Sequence, residues 1–132
     1  MEKRYVIKSV HVIDDMHDER IDRIEQTEDR LIFYYDNIEY RKGFHSCKVT
    51  FLDVDGAFVE VRKKEKTRTI SRIYDIEEFM HLIRKRRCRL ETIHYYGGSY
   101  EIKITGALVK EGGYDDNCIF TIPTSELIYE WE

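Results

Sequence analysis

The chain is short of the residues that break structure. It has one proline, Pro123, and seven glycines in 132 residues. That scarcity leaves no room for a flexible linker or a disordered tail rich in them. A single domain over residues 1–132 is therefore expected. Cysteine is scarce as well. Cys47, Cys88 and Cys118 are odd in number and far apart, which excludes a disulfide framework and a Cys-x-x-Cys metal knuckle. All three are expected as small buried hydrophobes. No apolar run approaches the roughly 20 residues of a membrane-spanning helix. The stretch Met1 to Val10 carries charge without the apolar centre of a secretory signal. A reducing, cytoplasmic setting with no membrane contact is the expectation.

Positive charge is not in excess. Lys and Arg number 22 against 26 Asp and Glu, a net −4. That argues against a sequence-independent duplex binder, which needs surplus cations to displace counterions. A phosphate-cradling glycine loop is also missing: Gly97-Gly98 and Gly112-Gly113 fit turns.

What the chain does have is aromatics and alternation. Ten Tyr and six Phe favour pleated, half-buried surfaces. A chain of this length buries roughly two-thirds of its unfolded surface, enough for one core without disulfides. Tyr5 to Val10 reads as a first strand or an extended entry. Ile21 and Ile24 are three apart, which strict alternation forbids; a bulge or a switch between faces reconciles them with a strand. Leu31, Phe33 and Tyr35 alternate with Ile32 and Tyr34, so both faces are apolar or amphipathic and the strand is expected to be central. Cys47 to Val54 reads as a strand ending in Asp55-Gly56, a strong hairpin signal. That turn would set Val54 opposite Ala57 and Leu52 opposite Val59. The charged run Arg62 to Thr69 is expected to leave the sheet, with a short strand at Thr69 to Ile73.

One helix is expected over Asp75 to Arg86. Asp75 and Glu78 have capping-box spacing, with Tyr74 and Phe79 placed as a staple. Ile76, Phe79, Met80 and Ile83 form one stripe at helical spacing. A second hairpin is expected around Gly97-Gly98, pairing Tyr95 with Tyr100 and Ile93 with Ile102. Glu111 to Asn117 reads as a polar loop, and Cys118 to Ile122 and Leu127 to Trp131 as the last strands, parted by Pro123. The expected fold is α+β and predominantly antiparallel: a twisted sheet or two-sheet β-sandwich of about seven to nine short strands with one helix packed on it. Strand order stays open.

The candidate sites are few. Asp14, Asp15, His17 and Asp18 are the densest set of possible metal ligands. The competing reading is an exposed acidic turn in which His17 or Asp18 caps backbone amides. His45, His81 and His94 lie near no nucleophile, and Ser46 beside His45 lacks the features of a nucleophile elbow. A His-Asp doublet also marks the HD phosphohydrolases, but those need further ligands on a helical bundle, and this chain has one helix. The run Arg84-Lys85-Arg86-Arg87, with Arg89, is either a nucleic-acid or acidic-partner contact or a set of cations favoured by the helix C-terminus. Tyr129 and Trp131, beside Glu130 and Glu132, form either an aromatic contact ridge or an edge strand closing the core.

From His17-Asp18 through Ile21 and Ile24 to Asp29-x-Leu31-x-Phe33, the chain resembles the immunity protein 50-like family and related small bacterial β-rich domains. The resemblance covers His17 to about Tyr35. It implies a cytoplasmic protein without enzymatic activity that binds and neutralises a protein toxin. His17 and Asp18 would then be structural, and the mild acidity would suit a basic toxin. The leading expectation is thus a non-enzymatic, immunity-like binding protein with no cofactor. The alternatives are a metal-dependent or acid–base enzyme built on Asp14, Asp15, His17 and Asp18, and a module that self-associates through an edge strand such as Leu127 to Trp131.

Overall fold

The computed structural model describes residues 1–7, 16–39 and 41–132, with only the backbone of residues 114 and 115. Along the chain run β1 (Glu2–Val6), β2 (Arg20–Ile21), β3 (Arg23–Gln26), β4 (Leu31–Tyr35), β5 (Cys47–Leu52), β6 (Phe58–Glu65) and β7 (Arg68–Asp75). Then come α1 (Ile76–Arg86), β8 (Arg89–Gly98), β9 (Glu101–Lys110), β10 (Gly113–Pro123) and β11 (Glu126–Trp131). The strands form two antiparallel sheets. The smaller has the order β1-β11-β5-β4-β3 and the larger β2-β8-β9-β10-β6-β7. With one helix packed on them they make an α+β sandwich.

The core is where the two inner faces meet. Directly opposed residues share a face. In the larger sheet the inner row runs Tyr74, Val59, Phe120, Ile104, Tyr95. In the smaller sheet Phe33, Val49 and Tyr129 form such a row. Phe33 sits edge-on to Phe51 and Phe120, with ring centres 5.1 and 5.2 Å away, so the sheets interlock through aromatic edges. The helix joins this core through Phe79, whose ring meets Phe120 at 5.2 Å and 84°.

The helix forms where local signals demand it. The Asp75 side chain accepts from the Glu78 N–H at 2.8 Å, and Glu78 accepts from the Asp75 N–H at 3.1 Å. Both bonds of the capping box are present. Ile76 and Phe79 are fully buried, and Met80 and Ile83 pack against the core. Arg87 ends the helix in a left-handed conformation.

The three-residue spacing of Ile21 and Ile24 marks a change of sheet. Ile21 belongs to β2, paired with β8, and Ile24 to β3, paired with β4. β4 is internal and almost wholly buried, as its doubly apolar pattern requires.

Several expectations are corrected. Asp55-Gly56 makes no hairpin: β5 lies between β4 and β11, and β6 between β10 and β7, in different sheets. A type I′ turn needs positive φ at two adjacent residues. Here the left-handed residues are Asp53 and Gly56, with two ordinary residues between them. The Val54 N–H instead donates to the Asp29 carbonyl, and the segment crosses between sheets. The second hairpin exists, but Gly97 and Gly98 extend β8, pairing with Ile102 and Glu101. Ser99 and Tyr100 make the turn, Tyr100 at φ 55°, and a bulge at Ile93 shifts Tyr95 opposite Ile104. The run Arg62 to Thr69 does not leave the sheet; it forms the far half of the β6–β7 hairpin. Glu111 to Asn117 is a turn followed by the start of β10, with a bulge between Tyr114 and Asp116. The first strand is earlier than expected, at Glu2–Val6, and residues 8–10 of the expected span lie outside the described residues. Among the described residues the strands number eleven rather than seven to nine; the segment through Ile21 and Ile24, expected as one strand, is two, β2 and β3, in different sheets.

Candidate functional site

The His17–Asp18 turn folds back onto the larger sheet. The Asp18 N–H donates to the Thr92 carbonyl and the Thr92 N–H to the Glu19 carbonyl, each at 2.9 Å. Asp18 adopts φ 64°, a conformation Asp tolerates better than most residues. His17 Nδ1 lies 2.7 Å from the carbonyl oxygen of Ile93. That carbonyl only accepts, so Nδ1 carries the proton. Nε2 then faces the Asp18 carboxylate at 3.4 Å. The His17 ring stacks on His94 at 5.1 Å and 14°. The turn is anchored at the β8 bulge, where Ile93 carries the register shift and its carbonyl meets His17.

Of the four candidate ligands, Asp14 and Asp15 lie outside the described residues. Among the described residues no group of three or more His, Cys, Asp or Glu could hold a metal, and no helix is long and apolar enough to cross a membrane.

Behind the turn lies a buried polar knot. The Tyr35 hydroxyl is 2.8 Å from Thr92 Oγ1 and 2.6 Å from the Tyr95 hydroxyl. It joins β4 of one sheet to β8 of the other. Burial holds the Tyr35 and Tyr95 phenols well above their ordinary range. Both keep their protons near neutrality, and the knot ties the sheets together.

The proposed C-terminal contact ridge is corrected. Tyr129 and Trp131 are buried, because β11 lies between β1 and β5 instead of at an edge. Tyr129 meets Tyr5 and Tyr95 at 5.7 and 6.3 Å. Trp131 exchanges backbone hydrogen bonds with Met1, 2.8 and 2.9 Å long. The far end of the chain is therefore what covers this strand. Glu130 is half-buried and Glu132 exposed, but they flank no exposed aromatics. Association through Leu127 to Trp131 as a free edge is excluded by the same pairing.

Exposed apolar side chains lie elsewhere, and three of them are on the solvent face of the larger sheet. One row across it runs Ile73, Glu60, Ile119, Thr105, His94; the next runs Asp75, Phe58, Thr121, Lys103, Tyr96. Ile73 is 69% exposed, Tyr96 53% and Phe58 37%. His94 meets Tyr96 edge-on at 5.8 Å, so the His17 stack continues this face. The His17 turn and the exposed apolar residues thus belong to one surface, interleaved with Glu60, Arg62, Asp75 and Lys103. The sequence held a signal for it. Phe58 shares its alternation phase with Glu60, Arg62 and Lys64, and an apolar side chain in phase with charges faces water.

Compared with family models, curated proteins and solved structures, the chain finds no match.

Proposed function

We propose that this chain is a non-enzymatic binding protein that recognises a protein partner through the solvent face of its larger sheet. The observation that carries this reading is the exposure of Ile73, Tyr96 and Phe58 on one sheet face. Ile73 and Phe58 stand on adjacent strands and Tyr96 three strands from Phe58, and apolar anchors set among polar and charged groups on one outer face suit a protein contact. The His17–His94–Tyr96 ring ladder extends the same face with rigid, amphipathic groups.

The partner proposed is a protein toxin, as the likeness of His17 to Tyr35 to immunity-type domains implies. In this reading His17 and Asp18 fix a turn and do no chemistry. Three free cysteines support a reducing, cytoplasmic setting. The net charge of −4 supports a basic partner through long-range steering.

The test begins with the genomic neighbourhood. A toxin encoded beside this gene is purified and titrated with the full chain. Ile73→Glu and Tyr96→Glu are expected to weaken binding at least about tenfold, while circular dichroism stays unchanged. A neighbour-encoded toxin that does not bind, or that binds both variants as well as the parent, refutes the proposal.

A further inference from the structure

A cavity of about 230 Å³ opens where the sheet switch, the second half of α1 and the start of β8 meet. Its lining includes the apolar Ile21, Ile24, Met80, Ile83 and Leu90. Four arginines line it, Arg20, Arg23, Arg84 and Arg89, against a single acid, Asp22. That acid is engaged. Its carboxylate accepts from the Asp36 N–H at 2.8 Å and faces Arg20 Nε at 3.4 Å. Arg23 is committed to the Tyr34 ring, 3.8 Å from its centroid. Arg84 and Arg89 are exposed, and neither side chain has a hydrogen bond or ion pair among the described residues.

The local excess of cations runs against the chain's overall negative charge, so it is not a by-product of composition. The favourable interaction of cations with a helix C-terminus accounts for Arg84 and Lys85, in the last turn of α1. It does not account for Arg20, Arg23 and Arg89, which come from three different strands.

We infer that this cavity is a docking site for an acidic protein segment, one aliphatic side chain entering the cavity and flanking carboxylates meeting Arg84 and Arg89. Three features favour a segment over a small free anion. The cavity is below the roughly 300 Å³ at which drug-sized ligand sites begin, so one side chain suits it. It opens to solvent, which would leave a free ligand half in water. The positive charge also continues past the rim through exposed Lys85 and Arg87, where a segment with several carboxylates finds further partners. The site lies apart from the proposed toxin-binding face, and the inference does not depend on that reading.

The test is titration of the isotopically labelled full chain with a dye-labelled synthetic peptide in which single leucines alternate with paired glutamates. Amide shifts should cluster on Ile21, Ile24, Met80, Arg84 and Arg89. Arg84→Glu with Arg89→Glu should weaken binding at least about tenfold, and raising the salt should weaken it further. Both substituted positions are exposed, and retained amide dispersion shows the variant folded. Lys64→Glu with Lys66→Glu, on the basic tip of the distant β6–β7 hairpin, should leave binding unchanged. No binding, equal loss in both double variants, or tighter binding of an oligothymidylate at the same residues overturns the inference.

Discussion

The pairing of Arg86 with Asp116 sets up an asymmetry that mutagenesis can read. Arg86 is the last residue of α1 and Asp116 follows the bulge in β10. Their side chains form a hydrogen-bonded ion pair that holds the helix end to the larger sheet. The Asp116 side chain is only 2% exposed, the Arg86 side chain 28%. Replacing Arg86 by Met keeps the aliphatic stem but leaves a buried carboxylate without its cation. That loss is expected to cost about 3–5 kcal/mol, a large part of the roughly 5–15 kcal/mol that stabilises a domain. Asp116→Asn leaves an amide that still accepts a hydrogen bond, and the arginine retains a path to water. Its cost should be about 1–2 kcal/mol. Pairing Arg86→Met with Asp116→Leu removes both charges and should recover most of the larger loss. Urea unfolding followed by tryptophan fluorescence gives the midpoints, with an unchanged slope showing that only stability moved. If Asp116→Asn costs as much as Arg86→Met, the argument from unequal burial is wrong.

Three further outcomes are expected. A Cβ at Gly106 would lie 3.0 Å from the Glu91 carbonyl oxygen and 3.2 Å from Cys118 Sγ; Gly106→Ala should therefore cost about 1–3 kcal/mol, and an unchanged melting temperature contradicts it. Tyr35 and Tyr95 titrate above the unfolded value of about 10. Their stabilisation is complete below that pH and lost above it, at about 2.7 kcal/mol per pH unit for the two; ionisation of both phenols with near-ultraviolet dichroism intact would count against it. The Cys118 thiol is pushed up to about 12 by burial, whereas Cys88 is partly exposed. Iodoacetamide at pH 8 should label Cys88 first in the folded chain, and mass spectrometry showing Cys118 labelled first refutes this.

How much of this could be read from the chain depended on the range of the forces involved. The helix was legible because its capping box and its stripe lie within twelve residues of one another. The β8–β9 hairpin was legible in kind, but the Gly97-Gly98 pair drew the turn two residues early. Glycine permits a turn without requiring one, and the bulge at Ile93 absorbs the shift. Asp55-Gly56 misled for a different reason. Its local geometry suited a hairpin, but the neighbours of β5 are β4 and β11, and no turn signal weighs those against β6. Val49 and Phe51, both fully buried, face the smaller sheet's core, and the register that served the hairpin gave priority to Leu52 and Val54, which are only half-buried.

The same distinction explains the site. Whether Tyr129 and Trp131 meet water is decided by β1, which comes from the other end of the chain, so their own neighbours in sequence could not settle it. The switch at Asp22 shows the intermediate case. Spacing alone marked an interruption between Ile21 and Ile24. Its meaning comes from Asp22, whose N–H donates to the Tyr34 carbonyl while its carboxylate accepts from the Asp36 N–H. One residue thereby releases the chain from the larger sheet and fastens it to the smaller. The arginine-lined cavity lies beside that crossing, where the chain passes from the larger sheet to the smaller. An interruption of apolar period flanked by arginines, Arg20 and Arg23, is thus a sequence trace of the cavity, legible only once the helix that roofs it is placed.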